Sequence, residues 1–297
     1  MGDKDILLFG ADGQVGWELQ RALVPFGPVH AVTLAQVDIS DAKALRQAIR
    51  AAKPRVIINA AAYTSVDQAE KEFGLAQSVN ALAPAVMAEE AKALGAWLIH
   101  YSTDYVFDGT KHDAYLEADA ANPLSVYGRT KWEGEQAIAA LGGSYLTFRT
   151  SWVFGPHGGN FLKTILRLAR ERDELAVIDD QIGAPTSAEL LADITAHALR
   201  AALAERMAGG LYHLTAAGET SWHGYASYAT AEARRLGAEL KLTAERIKPI
   251  PTEQYPLPAP RPKNSRLDCS RISQALGLEL PDWRWHVNRT LNELIQP

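Results

Sequence analysis

Three groups of residues in this chain have the types and spacing to do chemistry. Tyr127-Gly128-Arg129-Thr130-Lys131 sets a phenol and an ammonium four positions apart. On a helix that spacing puts both on one face. A phenol ionises near pH ~10, too high for efficient proton exchange at neutral pH, and a neighbouring cation favours its ionised form. Taken alone, the spacing also describes an ordinary surface pair. A second group, Tyr101-Ser102-Thr103-Asp104-Tyr105-Val106-Phe107, begins inside an apolar run. Its Ser102 or Thr103 hydroxyl could hydrogen-bond and polarise a carbonyl oxygen, or only cap the next turn. The third, Gly10-Ala11-Asp12-Gly13-Gln14-Val15-Gly16, spaces its glycines for a phosphate-binding turn. Gly10 permits a sharp turn, Gly13 lets a pyrophosphate reach the backbone, and Gly16 lets helix and strand pack closely. The helix behind it offers unpaired N–H groups to an anion.

These groups need a scaffold, and the hydrophobic pattern supplies one. Residues 6–9 form a continuous apolar run ended by Gly10, as in a strand buried on both faces. Helix is expected over 15–24, strand over 29–34, helix over 43–52 and strand over 55–59. A long helix over 75–94 must kink or break at Pro84. Strand 97–101, helix 125–141 and strand 145–148 follow. Such alternation implies parallel strands joined by crossovers: a doubly wound α/β sheet of the Rossmann type. In parallel sheets of this kind ligands bind at the C-terminal strand ends, where Thr103 falls. The second half is less regular. Helices are expected over 161–172 and 188–204, with an extended proline-rich stretch over 249–263. This suggests a dinucleotide-binding domain over 1–150 and a smaller α+β substrate domain over 151–297. Residues 175–178 are a strand that could rejoin the first domain's sheet.

The 297 residues carry a formal net charge of −5, which argues against a general nucleic-acid or membrane-surface binder. Cys269 is the only cysteine, so no internal disulfide can form, and this suits a reducing cytoplasm. No stretch approaches the roughly 20 apolar residues of a membrane span, and the apolar run at 6–9 is too short for a signal peptide. A soluble, cytoplasmic protein is expected. Arg261, Lys263 and Arg266 form a basic cluster in this acidic chain. Arginine suits bidentate contact with phosphate, although a solvated basic loop reads the same way. Trp152 could stack on a ligand or fill the core. The second strand ends in Val32-Thr33-Leu34-Ala35, with neither an acid for a ribose nor an arginine for a 2′-phosphate. Asp38, followed by Ile39, could face an adenine or merely cap a turn.

In this order and at these separations, the three groups resemble the extended short-chain dehydrogenase/reductase family. Asn59-Ala60-Ala61-Ala62-Tyr63-Thr64, Asn80, Asn122-Pro123-Leu124 and Arg149-Thr150-Ser151-Trp152-Val153-Phe154-Gly155 extend the likeness. So do Asp180-Gln181-Ile182-Gly183-Ala184-Pro185-Thr186 and Arg261-Pro262-Lys263-Asn264-Ser265-Arg266-Leu267, which carry it through the second half. Within the family, the chain is most similar to reductases that act on the 4-keto group of a dTDP-activated 6-deoxy sugar. The resemblance implies NADPH or NADH as cofactor, held by Gly10, Asp12, Gly13, Gln14, Val15, Gly16, Asp38, Ile39, Ala60, Ala61, Ala62, Tyr63, Tyr127 and Lys131. It implies a catalytic set of Thr103, Tyr127 and Lys131, with Thr103 bonding the keto oxygen and Tyr127 protonating it. Val66, Asp104, Tyr105, Trp152 and Arg261 are then expected to contact the sugar nucleotide.

Sugar dehydratases of this family carry Asp-Glu after the threonine, whereas Thr103 is followed here by Asp104-Tyr105, so elimination lacks its base. Some bacterial members hold magnesium through glutamates at a homodimer interface, and the matching residues are Glu18, Glu189 and Glu293. Oxygen ligands of that kind suit magnesium, and they also suit an ordinary charged surface. Alternatives are a reductase or epimerase of another nucleotide sugar, or a non-catalytic regulatory subunit like the β-subunit of methionine adenosyltransferase. The intact Thr103, Tyr127 and Lys131 favour an enzyme.

Overall fold

Apolar runs too short to be helices become strands here, and the glycine turn and its kin connect them to helices on both sides. A computed structural model describes residues 6–296. Strand β1 (Ile6–Phe9) is buried along its whole length and leads through the glycine turn into α1 (Gln14–Leu23). Next come β2 (Val29–Val32), α2 (Ala42–Ala52) and β3 (Val56–Asn59). After α3 (Ala83–Leu94) the chain enters β4 (Trp97–Thr103), α4 (Val126–Leu141) and β5 (Ser144–Thr150). Beyond these lie α5 (Phe161–Glu171), α6 (Ala188–Leu203), β6 (Gly210–His213), α7 (Trp222–Arg235) and α8 (Trp283–Ile295).

The six strands form one parallel sheet in the order β6-β5-β4-β3-β1-β2. The direction of winding reverses between β1 and β3, which leaves a crevice at their C-terminal ends. Register aligns Phe9 with Asn59 and Asn59 with His100, so these residues share one level of the sheet. A core lies on each face. Leu7, Phe9, Ile57 and Leu98 pack with Leu45, Ile49, Met87 and Ile138. Ile6, Leu8, Ile58, Ile99 and Phe148 pack with Leu19, Leu23, Leu191 and Leu199 on the other. Because α6 belongs to that second core, the two halves of the chain share one interior.

The strand that joins the sheet from the second half is β6, which pairs with β5. Residues 175–178 do not join it. They pair in parallel with Ile247–Ile250, at the start of the proline-rich stretch. The expected helix over 75–94 is broken into an α segment (Phe73–Gln77), a π-helical turn (Ser78–Leu82) and α3. Pro84 lacks an N–H and sits at the start of α3, where the widened turn absorbs the missing bond. Among the described residues, no helix is long and apolar enough to cross a membrane.

Candidate active site

The glycine turn is the tightest feature of the crevice. Gly10 has φ +78°, and a Cβ there would lie 2.5 Å from the Ala61 backbone nitrogen. A Cβ at Gly16 would lie 1.9 Å from the Gly10 carbonyl oxygen. Side chains at either position would push the turn off β3 or α1 off the turn. Gly13 caps α1 without a side chain. The first-turn N–H groups, which carry the positive end of the helix dipole, are therefore left open to an anion. This bare cradle fits the pyrophosphate of a dinucleotide. Asp12 is exposed within the turn, and Val15 packs against the core behind it. The Gln14 side chain accepts a 2.9 Å bond from Asn160 and ties the turn to the second half.

The expected neighbours of the cofactor surround this cradle unevenly. Ala60 donates to the Phe9 carbonyl and Ala61 to the Asn59 side chain, which locks the loop after β3 beside Gly10. Ala62 follows them, half-buried. Tyr63 exchanges two backbone bonds with Asn80, at 2.9 and 3.0 Å, and its hydroxyl donates to Glu72. The π-helical turn is what aims Asn80 at this loop. Asp38 is exposed and accepts from the Ser40 N–H in a tight turn, so capping accounts for its side chain. Ile39 is buried among Leu7, Phe9 and Leu45 and serves the core.

The catalytic candidates come together at the end of β4. Thr103 is the last residue of the strand, and a 3₁₀ turn over Asp104–Val106 follows it. Ser125 caps α4 by accepting from the Gly128 N–H at 3.1 Å. A Cβ on Gly128 would lie only 2.1 Å from the Tyr105 carbonyl oxygen. Glycine at that position lets α4 settle directly on the turn and brings Tyr127 against it. The Tyr127 phenol neighbours the Thr103 side chain, and its ring meets that of Tyr105 edge-on at 5.6 Å. Burial holds the Tyr127 phenol up to about 12, with Thr103 opposing and Asp104 reinforcing that shift. It is therefore protonated at neutral pH, the form a proton donor needs. Burial also lifts the Asp104 carboxyl to about 6, against the Ser265 and Thr103 hydroxyls.

Lys131 is 2% exposed and reaches the same end of β4 from the next turn of α4. Its ammonium donates to the Tyr101 carbonyl at 2.5 Å and lies 3.4 Å from His100 Nε2. Burial pushes it down to about 8, against the favourable charge of Glu135. The expected influence of Lys131 on the phenol is not what sets the Tyr127 acidity here; burial, Thr103 and Asp104 set it.

The expected sugar contacts line the mouth from both halves. Val66 opens a short helix, Val66–Ala69, whose Asp67 takes a bidentate ion pair from Arg261 at 2.6 and 2.7 Å. Arg261 thus anchors the proline-rich stretch across the cleft, and its guanidinium also neighbours the Tyr105 hydroxyl. No sequence signal links Asp67 to Arg261, because only the fold brings them together. Trp152 has the left-handed φ of +49° and stacks on Trp222 at 3.6 Å, with Gly183 against its edge. One of its faces is therefore taken by the protein. His100 was hidden in an apolar strand pattern, and a buried imidazole in such a run is the signal that marks it.

The glutamates expected to hold magnesium come together in a pocket of their own. Glu18, Glu189 and Glu293 line one pocket of about 220 Å³, together with Arg21 and Arg289. Glu18 pairs with Arg21 at 3.2 Å, and Glu189 takes both a 2.7 and a 2.9 Å bond from Arg289. Glu293 sits 3.7 Å from Arg289. Guanidinium groups already supply the positive charge that a dication would bring, and no group of three or more metal-binding side chains forms among the described residues. The three carboxylates do not fit a metal site in this chain.

Comparison with known proteins places this geometry. The family model described as the RmlD substrate binding domain matches residues 4–296. A dTDP-4-dehydrorhamnose reductase of Escherichia coli (strain K12) is 51% identical over 294 residues, covering 98% of each chain. One from Burkholderia thailandensis is 48% identical, covering 98% of this chain and 99% of its own. The crystal structure of dTDP-4-dehydrorhamnose reductase from Bacillus anthracis str. Ames in complex with NADP superposes with a TM-score of 0.89 at 33% identity. It covers 98% of this chain and 100% of its own. With a matching model along nearly its whole length and relatives near half identity, this chain belongs to the RmlD substrate-binding-domain family.

Proposed function

We propose that this protein reduces dTDP-4-dehydro-6-deoxy-L-mannose (dTDP-4-dehydro-L-rhamnose) to dTDP-L-rhamnose, with NADPH or NADH as reductant and Tyr127 as proton donor. The observation that carries the reading is the convergence of Tyr127 and Thr103 at the C-terminal end of β4, beside Lys131. Relatives near half identity named for that reductase, and an NADP complex among the structural neighbours, support the substrate and the cofactor class. The bound dinucleotide supplies the hydride that reaches C4. The chain's own residues do the rest. Thr103 hydrogen-bonds the keto oxygen and fixes its direction. Tyr127 transfers its phenolic proton to that oxygen as negative charge develops there, and Lys131, one turn further along α4, holds the cofactor's ribose. Val66, Asp104, Tyr105 and Trp152 line the sugar, and Arg261 exchanges Asp67 for the substrate diphosphate. Enclosure of Tyr127 and Lys131 keeps bulk water from competing for the proton.

The test is turnover with this keto-sugar nucleotide, followed as loss of nicotinamide absorbance. Tyr127→Phe is expected to bind NADPH as the parent does and to turn over at least ~100-fold more slowly, the usual worth of such an acid. Normal turnover in that variant would remove Tyr127 from the mechanism. We further propose a cytoplasmic homodimer. The lone thiol, Cys269, suits a reducing compartment, and the exposed Trp17 and Trp285 offer apolar surface for self-association.

A further inference from the structure

Beneath the catalytic helix runs a buried polar chain that joins Lys131 to two groups the proposed reaction does not use. Asn59 ends β3, His100 lies beside it in β4, and Lys131 descends from α4. All three are almost fully buried. The Ala61 backbone N–H donates to one atom of the Asn59 amide at 3.2 Å. A backbone N–H can only donate, so that atom is the oxygen, and the Asn59 NH₂ is the group that faces His100 Nδ1 at 3.1 Å. His100 Nδ1 must then accept. A neutral imidazole that accepts at Nδ1 carries its proton on Nε2. That Nε2–H faces the Lys131 nitrogen at 3.4 Å. An ammonium has donors only, so N–H against N–H⁺ is unfavourable, whereas the lone pair of a neutral amine would accept the bond.

We propose that His100 is a positioning residue for Lys131: Asn59 locks its proton on Nε2, and this N–H opposes the ammonium and eases release of the lysine proton. The other groups around the lysine do not do this work. Glu135, on the same helix, favours the ammonium, and its carboxylate is shared with Arg149 of β5 through bonds of 2.6 to 3.2 Å. The Tyr101 carbonyl accepts from the lysine and also favours the charged form. The Tyr101 hydroxyl is bonded to Thr195 on the far side of the sheet. Tyr127 and Asp104 answer to Thr103, and His213 lies beyond Arg149 in β6. Burial, with Lys131 adding to it, keeps His100 itself neutral. Burial already lowers Lys131 toward neutral pH, and the opposed His100 N–H acts in the same direction. The consequence for the proposed reductase, which this step rests on, is an alkaline limit to turnover set by His100 through the lysine, because the site loses its cation there.

The experiment reads the cofactor-free protein. Nitrogen-15 spectra of labelled histidine are expected to place the His100 proton on Nε2; a proton on Nδ1 overturns the proposal without any variant. The carbon-13 signal of Lys131 Cε, assigned by its loss in Lys131→Met, is then titrated with pH. In His100→Gln, whose amide oxygen can face the lysine, the midpoint is expected to rise by about one pH unit, a tenfold change in the ratio of amine to ammonium. Asn59→Asp should shift it the same way, since a carboxylate draws the histidine proton to Nδ1 and turns Nε2 into an acceptor. A midpoint unmoved in both variants overturns the proposal. Neither result depends on turnover, so failure here is distinguishable from failure of the reductase reading, which Tyr127→Phe tests. A purely structural histidine would alter the melting temperature without moving the lysine titration.

Discussion

Beside Tyr127 is a contact that a single methyl group would destroy. The hydrogen on Gly128 leaves just enough room for the Tyr105 carbonyl, and a Cβ would overlap it at 2.1 Å. Because the clash is with backbone, no rotamer change relieves it. Gly128→Ala is therefore expected to lift the start of α4 off the 3₁₀ turn, cost about 1–3 kcal/mol of stability and separate Tyr127 from Thr103. Turnover should fall at least ~10-fold, a rise of about 1.4 kcal/mol in the barrier, while NADPH affinity changes little because the glycine turn is untouched. Parent-like turnover in a folded Gly128→Ala protein would show that the close approach is not needed. This residue sits inside the Tyr-x-x-x-Lys spacing, yet spacing alone carries no hint of its role, since that role lies in a contact with another element.

At the level of elements, α4 is held to the sheet by charge as well as by apolar packing. The Glu135 and Arg149 side chains are each 4% exposed and bonded through three contacts. Arg149 also lies over the Phe107 ring at 4.9 Å. Removing one partner of such a pair strands a buried charge and typically costs about 3–5 kcal/mol. Arg149→Met should lower stability in denaturant melts by that order, and Glu135→Leu added to it should recover much of the loss. A single variant as stable as the parent would mean water reaches the carboxylate. The same helix meets the π-helical turn, where Gly134 lets it approach the Asn80 carbonyl. The sequence expectation of a helix broken near Pro84 is met there, but the form of the break came from the neighbours: the wide turn both spares the proline and aims Asn80 at the loop after β3.

Across the whole molecule, two sites differ in their electrostatics. The cleft at the strand ends has an open helix N-terminus and suits an anionic dinucleotide. In the pocket of Glu18, Glu189 and Glu293, each carboxylate already pairs with Arg21 or Arg289. Chelator is accordingly expected to leave the sedimentation coefficient and turnover unchanged. A chelator-dependent loss of mass, restored by magnesium alone, would show that the arginines give way to a metal when two copies meet. Sequence position placed those glutamates on family strings, but it could not reveal which cations stand beside them. Arg21 lies three positions from Glu18 and Arg289 four from Glu293, so local spacing hinted at two of the three pairings, and only the fold supplied that of Arg289 with Glu189.

What the sequence determined by itself is whatever follows from short-range constraint. Apolar runs of strand length, alternating with helical periods, dictate a parallel doubly wound sheet. Three glycines after a buried strand dictate a turn open to phosphate, and Tyr127 with Lys131 share a face by helical geometry. The tertiary structure decided what depends on residues far apart in the chain. It chose β6 rather than residues 175–178 as the sixth strand, because β6 is the segment that can lie against β5 while 175–178 finds its partner in the proline-rich stretch. It joined Arg261 to Asp67 and set His100 between Asn59 and Lys131. Such contacts form only when strands pair and helices close over them, because the partners are far apart in the chain.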